Sequence, residues 1–350
     1  MSTRHSAPNL IGFAHALLVA AGLDSAKATA VAEVLVEGDL FGHTTHGLAL
    51  LAPYLADLEK GAMEKSGGPR VVADFPAAVT WDGRRLPGPW LVRQALALAM
   101  PRARQNGTCT VVIRRSHHIG CLTAYLKPVT DQGLMVLLTC VDPTVATVAP
   151  HGGRRAVITP APIAAGWPTD GEPVLLDVST SIAANGPVKR RQLEQRPMDS
   201  ACLLDAEGRP TTYPAVVFGD PAGSILPVGG LDHGHKGFAF GLLAEALSAG
   251  LAGHGRADQP EGWTAEVFLQ VLDPAQFGGA DAFRRETTRL AELCRATPPR
   301  TGIDRVRLPG ENGLRQRAHQ LAEGVELYPT ILPALTPWAE RYAVPLPASV

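Results

Sequence analysis

The sequence is poor in cysteine, and its few cysteines have neither metal-ligand nor disulfide spacing. The 350 residues contain five of them, an odd number, and no CxxC pair occurs. Such spacing indicates neither a disulfide framework nor a structural zinc site. It suits a reducing compartment, so we expect a cytoplasmic protein. The five are Cys109, Cys121, Cys140, Cys202 and Cys294.

Long apolar runs and an excess of one charge are also missing. No apolar stretch approaches the roughly 20 residues that a membrane helix needs. The first residues, 1–5, lead into an amphipathic pattern without a signal-peptide core. A net charge of -1 provides no electrostatic footprint for nucleic acid or an acidic membrane. We therefore expect neither as a partner.

Several nucleotide-binding and hydrolytic motifs are absent. No GxGxxG follows a predicted strand and no GxxxxGK[ST] occurs, which leaves a standard Rossmann site and a P-loop unsupported. Serine hydrolase chemistry lacks its GxSxG elbow. The histidines have no HExxH spacing, so we predict no metal site and keep a metal-dependent hydrolase only as a third alternative.

What is present is the composition of a globular protein, with 45% apolar and 19% charged residues. The length of 350 residues predicts two domains. Apolar spacing predicts a helical N-terminal region, and alternating strands and helices follow it. We also predict that residues 238–251 form a helix buried on most sides. The predicted helices are 9–21, 25–40, 48–60, 90–106, 122–133, 238–251, 280–295 and parts of the tail from 313; the predicted strands are 71–74, 78–81, 108–113, 134–141, 156–158, 173–180 and 263–272.

The most informative segment is the turn after the strand at 108–113. It carries His117 and His118 beside Gly120, a residue that lets backbone approach a ligand closely. Side chains at strand ends that face a crevice are where α/β enzymes tend to keep their chemistry. We therefore place the candidate active site here. Spacing alone is equally typical of a core histidine at position 118, and we interpret His117 as structural or exposed.

Two further segments carry groups that suit a nucleotide phosphate. The glycine-rich residues 226–237 are predicted to form a loop before a helix, where backbone N–H groups and Lys236 would attract an anion. Ser179 and Thr180 end a predicted strand and can bind a phosphate or a ribose. Taken singly, each of these segments is more typical of an ordinary turn.

Six short motifs occur in an order that is much more specific than any one of them. They are Asp39, Gly42, Thr45-His46-Gly47, Tyr54 and Gly61; Ser116-His117-His118-Ile119-Gly120 with Tyr125; Pro150-His151-Gly152-Gly153; Asp177-Val178-Ser179-Thr180; Pro227-Val228-Gly229-Gly230 through His235-Lys236-Gly237; and Pro309-Gly310-Glu311. Together they resemble the malate/L-lactate dehydrogenase family of the non-Rossmann type, and the match covers nearly the whole chain. That family also holds L-sulfolactate, ureidoglycolate, 2,3-diketogulonate and cyclic ketimine oxidoreductases.

The resemblance implies an α/β fold in which a helical N-terminal region packs beside a mixed-sheet nicotinamide-binding domain. We assign residues 1–70 to the helical region, joined by C-terminal helices in 313–350, and residues 71–312 to the cofactor-binding and catalytic domain. The implied cofactor is NAD or NADP, and the implied partners are a small-molecule substrate and a second copy of the chain in a homodimer. Without the Rossmann fingerprint no ribose-reading acidic residue can be placed, so the choice between NAD and NADP stays open.

The resemblance also assigns site residues. His118 falls on the family's catalytic histidine, and His46 falls on a second active-site histidine that has also been assigned as proton donor. The implied substrate positions are Thr45, Leu50 and Tyr54. The implied cofactor-binding residues are Gly120, Cys121, Leu122, Asp177, Val178, Ser179, Thr180, His235, Lys236, Pro309, Gly310 and Glu311.

The substrate end departs from the family pattern. Leu50 stands where the family usually has an arginine for the substrate carboxylate, and a leucine cannot form that bidentate contact. Asn185 likewise replaces an arginine, and residues 159–162 read Thr-Pro-Ala-Pro where the family has Gly-Thr-Asn-Pro. We therefore expect a non-standard substrate whose carboxylate is absent or held elsewhere, with Arg190 and Arg191 as candidates.

The leading hypothesis is an NAD(P)H-dependent oxidoreductase that reduces a C=O or C=N carbon of a 2-oxo acid or cyclic ketimine-type substrate. The nicotinamide delivers hydride, and the protein supplies orientation and a proton. An imidazole that titrates near neutral pH suits the donor role, with His118 as first choice and His46 as second. The alternative is a catalytically weak or inactive cofactor-binding paralogue, because a lost carboxylate anchor can mean lost turnover.

Overall fold

The computed structural model describes residues 3–350, and a seven-stranded mixed sheet forms its centre. The strands are β1 Arg4–His5, β2 Arg70–Phe75, β3 Ala78–Asp82, β4 Thr108–Ser116, β5 Met135–Val141, β6 Pro162–Trp167, β7 Val174–Ser179, β8 Leu203–Leu204, β9 Pro210–Thr211, β10 Ser224–Ile225, β11 Ala265–Leu272 and β12 Val325–Glu326. The α-helices are α1 Ala7–Ala20, α2 Ser25–Leu40, α3 Leu51–Glu59, α4 Gly88–Asn106, α5 Lys127–Thr130, α6 Asn185–Leu193, α7 Gly230–Glu245, α8 Ala280–Ala296, α9 Glu311–Glu323 and α10 Ile331–Arg341. A π-helical turn, Ala246–Gly250, continues α7.

The strand order explains how distant segments meet. The large sheet runs β2-β3-β4-β11-β5-β6-β7. β3 and β4 are parallel, and the other neighbouring pairs are antiparallel. β11 comes late in the chain yet lies between β4 and β5, so Ala265 at its start pairs with Ser116 at the end of β4. The segment just before β11 therefore lies beside the histidine turn.

Both faces of the sheet are covered. α4 packs against β4 and β11, and its buried residues Leu91 and Ala95 join the main core. Just after the π-helical turn that continues α7, Ala252 packs with Val112 and Phe268 on strands β4 and β11. A strand that is buried on both faces reads as a continuous apolar run, which is the pattern that predicted β4 and β5.

The helices α1, α2, α3 and α10 form a second apolar core beside the sheet. This core includes Tyr54 of α3 and, from the C-terminal part of the chain, Leu335 of α10. Val34 and Phe41, from α2 and the residue after it, belong instead to the core of the sheet. Shared packing therefore joins the helical region to the sheet, and the domain division drawn from the sequence stays a prediction. No helix within residues 3–350 combines the length and the apolar character needed to cross a membrane.

The predicted loop before α7 was wrong in its length. α7 begins at Gly230, so Lys236 lies in its second turn rather than in a loop that precedes it. Glycine has a poor helix propensity, but here it allows close packing. A Cβ at Gly237 would lie 2.4 Å from the backbone nitrogen of Val228 and 2.7 Å from the carbonyl oxygen of Thr180. Tertiary packing thus overrides the local signal.

The predicted burial of this helix was also wrong. Phe240, Leu243 and Leu251 are all exposed. The apolar composition of a segment therefore does not by itself show that the segment is buried. One predicted strand does not form, since Ile158 makes only an isolated bridge with Val148. In the large sheet, β6 was not predicted because alanine, glycine and proline carry little strand signal.

Candidate active site

Three segments that are distant in sequence converge at the end of β4. The turn after β4 carries His118, the turn after α2 carries His46, and the segment before β11 carries Trp263. The ring centroids of His46 and His118 lie 6.0 Å apart, and those of His118 and Trp263 lie 4.5 Å apart. Both candidate catalytic histidines therefore lie in one group. Trp263 adds a wall that no sequence motif indicated.

Hydrogen bonds fix the tautomer of His118. The backbone N–H of Gly120, a residue with a φ of 74°, donates to His118 Nδ1 at 3.2 Å. A backbone N–H can only donate, so Nδ1 accepts and the proton of the neutral ring lies on Nε2. The Tyr54 hydroxyl lies 2.8 Å from the same Nδ1 and 3.1 Å from the carbonyl oxygen of His118, to which it can donate. Through Nε2, His118 thus offers a proton rather than a lone pair.

Burial makes the charged form of His118 unfavourable. Its pKa lies well below the ordinary value, first because of desolvation and then because of His46 and His117. The Trp263 indole and the fully buried Tyr54 supply part of these apolar surroundings. At neutral pH the imidazole is therefore a neutral hydrogen-bond donor.

His46 lies in a more adaptable environment. Thr45 Oγ1 lies 2.9 Å from its Nδ1, and a hydroxyl can either donate or accept there. Burial lowers the pKa of His46, while the carboxylate of Asp177 acts in the opposite direction. The start of α6 limits the space, since a Cβ at Gly186 would lie 3.0 Å from Thr45 Cβ. Thr45 therefore orients His46, and its contact with substrate stays a prediction.

His117 has a structural environment. Its side chain is fully buried, and its Nε2 lies 2.9 Å from a carboxylate oxygen of Asp57. This hydrogen bond is the main reason why the pKa of Asp57 is lowered. The ring of His117 lies edge-on to both Tyr54 and Trp263. His117 thus supports the two aromatic rings that surround its neighbour His118, as the structural interpretation supposed.

Asp39 is a buried support that the predicted site omitted. Its Oδ2 accepts a hydrogen bond from the backbone N–H of Leu48 at 2.7 Å, and its Oδ1 has no partner within residues 3–350. Burial raises the pKa of Asp39 to about 7, against the effects of that hydrogen bond and of Arg190. A Cβ at Gly47 would lie 2.4 Å from the carboxylate, so only glycine fits there. This packing holds the turn that carries His46.

The predicted cofactor residues follow one line of contacts along β7. Near the start of the strand, Leu175 N–H donates to the carbonyl of Pro309 at 3.2 Å. In the middle, Asp177 accepts from the backbone N–H and the hydroxyl of Thr123 at 2.9 and 2.8 Å. Beyond its end, the carbonyl of Thr180 accepts from the segment before α7 at 2.9 Å. These contacts place Pro309 beside the strand that carries Asp177 and leads to Thr180, and binding of a cofactor there stays a prediction.

The side chains at the end of β7 differ in their exposure and in their hydrogen bonds. Val178 is exposed. Ser179 Oγ and the backbone N–H of Thr180 both donate to the carbonyl of Pro160, at 2.8 and 3.1 Å. These bonds favour the ordinary-turn interpretation for the two polar residues. Their contact with a cofactor stays a prediction.

The remaining predicted cofactor residues flank this line. Cys121 and Leu122 are buried directly after the histidine turn, and the Cys121 sulphur lies 3.9 Å from Asp177 Oδ2. Gly310 adopts a φ of 91°, and Glu311 begins α9 while it pairs with arginine side chains. These residues lie on the elements that border β7, and their contact with a cofactor stays a prediction.

The first turns of α7 carry a group of hydrogen-bond donors. The rings of His151 and His233 lie 5.6 and 6.3 Å from the ring of His235, and Lys236 beside it is exposed. The helix itself begins with two glycines of positive φ, where its first backbone N–H groups have no intrahelical partners. A helix N-terminus with such donors fits the phosphates of a dinucleotide.

Of the two arginines considered as carboxylate anchors, only Arg190 faces the site. Its Nη1 and Nη2 donate to the hydroxyl and the carbonyl of Thr44, both at 2.8 Å. Its guanidinium stacks over the ring of Tyr328 at 3.7 Å from the centroid, and its charge lowers the pKa of His46. Arg191 instead pairs with an exposed aspartate at 2.8 Å.

Two of the predicted substrate residues pack into the helical core. Leu50 is half-buried against it, and Tyr54 is completely buried within it. Because the Tyr54 hydroxyl bonds to His118, its observed role is to position that ring. Contact of either residue with substrate stays a prediction.

The match to a known family covers nearly the whole chain. Residues 5–336 match the family model described as malate/L-lactate dehydrogenase. This chain belongs to the malate/L-lactate dehydrogenase family. A relative named L-lactate dehydrogenase, from Cupriavidus necator, is 33% identical over 326 residues, covering 91% of this chain and 92% of that protein. A second relative, from Pseudomonas syringae pv. tomato, is named delta(1)-pyrroline-2-carboxylate/delta(1)-piperideine-2-carboxylate reductase and is 31% identical, with 91% and 92% covered.

A solved structure of the family has the same fold. The malate dehydrogenase from Pyrococcus horikoshii OT3 superimposes with a TM-score of 0.88 at 25% identity, covering 98% of this chain and 97% of that one. The predicted family and the predicted mixed α/β fold class are therefore confirmed. The relatives named above are dehydrogenases and a reductase, whereas the roles assigned to individual residues of this chain stay predictions.

Proposed function

We propose that this protein is an NAD(P)H-dependent oxidoreductase that reduces a C=O or C=N carbon of a 2-oxo acid or cyclic ketimine-type substrate. The observation that carries the proposal is the pair of imidazoles, His46 and His118, whose centroids lie 6.0 Å apart beside the line of predicted cofactor residues on β7. The names of the relatives, which include a lactate dehydrogenase and a ketimine reductase, support the reaction class. NADH or NADPH, when bound along β7, would supply the hydride.

The two histidines have different roles in this proposal. His118 has its proton on Nε2 and a strongly lowered pKa, so it acts as a neutral donor that polarises the C=O or C=N bond. His46 is the better proton carrier, because the Thr45 hydroxyl accommodates either tautomer and the Asp177 carboxylate favours the imidazolium. Since Nδ1 of His46 faces Thr45, the proton moves to the substrate from Nε2. This order is the reverse of the one inferred from the sequence.

Arg190 replaces the missing carboxylate anchor in this proposal. Two of its five N–H groups bind Thr44, which leaves three for a substrate carboxylate. Stacking on Tyr328 holds the plane of the guanidinium, so little side-chain freedom is lost on binding. The substrate carboxylate is thus held from α6 rather than from position 50.

Substitution of each histidine tests the proposed roles. His118→Ala should lower kcat for reduction at least about a hundredfold, and His118→Gln, which keeps an amide N–H, should recover part of that loss. In reduction of a 2-oxo acid, the rate should fall as the pH rises through the pKa of His46, because only the imidazolium carries the proton. His46→Asn should remove this limb of the pH profile. Unchanged turnover in His118→Ala or His46→Asn would exclude that histidine from the reaction.

The two neighbouring arginines form a matched pair for the substrate end. Arg190→Ala should raise KM for a 2-oxo acid at least about tenfold, since a bidentate charged contact is lost. Arg191→Ala should leave KM within about twofold, because its partner is a surface carboxylate. Equal effects of the two substitutions would contradict the assignment to Arg190. Comparison of a 2-oxo acid with a cyclic ketimine, and of NADH with NADPH, in the unmodified protein would identify the substrate class and the cofactor.

The second candidate function is a catalytically weak or inactive cofactor-binding paralogue. The presence of Leu50 in place of the usual arginine favours it. Tight binding of NAD(P)H, followed by fluorescence, without turnover on any 2-oxo acid or cyclic ketimine would support this alternative over the reductase.

We also propose a homodimer located in the cytoplasm. The exposed apolar side chains of the α7 region, Phe240, Leu243 and Leu251, are the kind of surface that a second copy would cover. Light scattering should give the mass of a dimer, and Phe240→Asp should shift the equilibrium toward monomer. A monomeric mass for the unmodified protein at micromolar concentration would contradict this part of the proposal.

A further inference from the structure

A group of three potential metal ligands lies beside His46. A ring nitrogen of His43, the sulphur of Cys121 and a carboxylate oxygen of Asp177 all lie within 4.8 Å of one another. The three residues come from the turn after α2, the turn after β4 and strand β7. No spacing in the sequence could reveal a set that forms only when these three elements pack together.

The donor set of this group fits zinc. Zn²⁺ binds nitrogen, thiolate sulphur and carboxylate oxygen at roughly 2.0–2.3 Å, which places neighbouring ligands of a tetrahedron roughly 3.5 Å apart. Cys121 Sγ and Asp177 Oδ2 are already 3.9 Å apart, and the His43 nitrogen lies within 4.8 Å of both atoms. Side-chain movements alone would therefore complete the geometry. Mg²⁺ and Ca²⁺ require oxygen ligands and do not fit a site that contains a thiolate.

The surroundings hold these ligands in place. Asp177 Oδ2 accepts hydrogen bonds from the backbone N–H and the hydroxyl of Thr123 at 2.9 and 2.8 Å, and the same hydroxyl lies 3.5 Å from His43 Nε2. Cys121 is buried against α2, where a Cβ at Gly38 would lie 3.3 Å from the cysteine Cβ. Hydrogen bonds to the ligating groups are the usual means by which proteins orient metal ligands.

We propose that His43, Cys121 and Asp177 form an inhibitory site for a divalent cation of the zinc class. The thiol releases its proton to solvent as the metal–sulphur bond forms, and no oxidation or reduction takes place. Three protein ligands leave one coordination position open. Because Cys121 and Asp177 are also predicted cofactor residues, the bound ion and NAD(P)H exclude each other. Binding of the ion does not depend on the proposed function, whereas inhibition of turnover does.

Titration of the full-length protein with Co²⁺ tests binding apart from activity. Co²⁺ takes the place of zinc in such sites, and its coordination by a thiolate gives a charge-transfer absorption band. We expect one equivalent to produce the band, and Zn²⁺ but not Mg²⁺ to abolish it. Cys121→Ser should eliminate the band, and His43→Asn should weaken the affinity at least about tenfold. A titration without a band, or a band that survives Cys121→Ser, would overturn the site.

Matched substitutions exclude other cysteines and histidines. Cys202→Ser changes a buried cysteine in a separate apolar cluster, and His235→Asn changes a histidine of the group on α7. Both variants should bind Co²⁺ with the same band and affinity as the unmodified protein. If His235→Asn instead weakened binding as much as His43→Asn, the ion would belong to the histidines of α7 and the proposed site would be wrong.

Steady-state kinetics test the inhibition. Zn²⁺ should inhibit NAD(P)H oxidation competitively with the cofactor, and a chelator should restore full activity. His43→Asn should keep its zinc-free turnover within about threefold and should need at least about tenfold more zinc for the same inhibition. If the protein binds the metal but is inactive on every substrate, the metal site is supported and the reductase is rejected. If it turns over substrate but binds no metal, the reductase is supported and the metal site is rejected. Activity that requires the ion would overturn the inhibitory role.

Discussion

The indole of Trp263 lies against the imidazole of His118, with ring centroids 4.5 Å apart and planes inclined by 31°. The register of the sheet delivers the indole to this place, because Ala265 at the start of β11 pairs with Ser116 at the end of β4. The contact removes water from the imidazole, and desolvation is the main cause of the low pKa of His118. The pairing of two strands thus determines the charge state of a candidate catalytic ring.

Replacement of Trp263 by a smaller side chain tests this relationship. Trp263→Leu should admit water, raise the pKa of His118 toward its ordinary value and lower kcat at least about tenfold. Trp263→Phe, which keeps an aromatic wall, should have a smaller effect on both quantities. NMR titration of the His118 ring measures the pKa directly. A pKa that does not rise in Trp263→Leu would show that the indole does not control the imidazole.

The hydroxyl of Tyr54 should matter more for turnover than for folding. Tyr54→Phe keeps the buried ring but removes the hydrogen bond to His118. The free energy of unfolding measured in urea should therefore fall by only about 1 kcal/mol. The kcat should fall about tenfold, because the imidazole loses one of the groups that fix its orientation. Tyr342→Phe is the matched control, since the Tyr342 hydroxyl bonds to Glu59 at 2.7 Å on the protein surface. Its kcat should not change.

Asp39 should make the stability of the protein depend on pH. Its folded pKa of about 7 lies above the ordinary 3.8, so between these values the folded state binds more protons and stability falls as the pH rises. The amide in Asp39→Asn cannot ionise, so the fall in stability with rising pH should be absent from this variant. Between about pH 4 and pH 8, the unfolding free energy of the variant should improve relative to the unmodified protein by up to about 4 kcal/mol. A relative change of opposite sign would contradict the raised pKa.

Two glycine substitutions separate packing from helix propensity. Gly12 lies within α1 with no atom within 4 Å of a Cβ added there, so Gly12→Ala should stabilise the protein by up to about 1 kcal/mol. At Gly237 in α7 a Cβ would lie 2.4 Å from the backbone of Val228. Gly237→Ala should therefore destabilise by about 1–3 kcal/mol. Chemical unfolding measures the change in unfolding free energy of each variant. If both substitutions stabilised the protein, close packing would not be the reason for glycine at position 237.

Lys236 should contribute to cofactor binding without taking part in the chemistry. Lys236→Ala removes a positive charge near the start of α7, so KM for NAD(P)H should rise about tenfold while kcat changes little. Lys127→Ala serves as control, because Lys127 is paired with Asp131 at 2.8 Å on the surface. A fall in kcat at unchanged KM would instead place Lys236 in the reaction itself.

The motif-bearing turns could be predicted from the sequence because their chemistry is local. A glycine and a histidine in fixed order at a strand end mark the turn that carries His118, and a similar short motif after a predicted helix marks the turn that carries His46. Trp263 left no such signal. It meets His118 only through the pairing of β4 with β11, and a contact between distant segments has no local periodicity.

Other misses have equally physical causes. The glycines of α7 concealed a helix, since their poor propensity is offset by close packing against the neighbouring backbone. The sequence also could not show which of Arg190 and Arg191 faces the candidate site. Adjacent helical residues point in directions about 100° apart, and only the packing of α6 against the Thr44 turn selects one of them.

The position of β11 between β4 and β5 also constrains the order in which the chain can be completed during synthesis. β4 and β5 are both made before residue 142, but the strand that joins them ends at Leu272. Until then each presents an unpaired edge, a template for association with other chains, and pairings between such distant segments form slowly. A nascent polypeptide that stops before residue 263 lacks the central seam of its sheet and the indole beside His118. The seven-stranded sheet and the aromatic wall beside His118 therefore assemble only after residue 272 has been made.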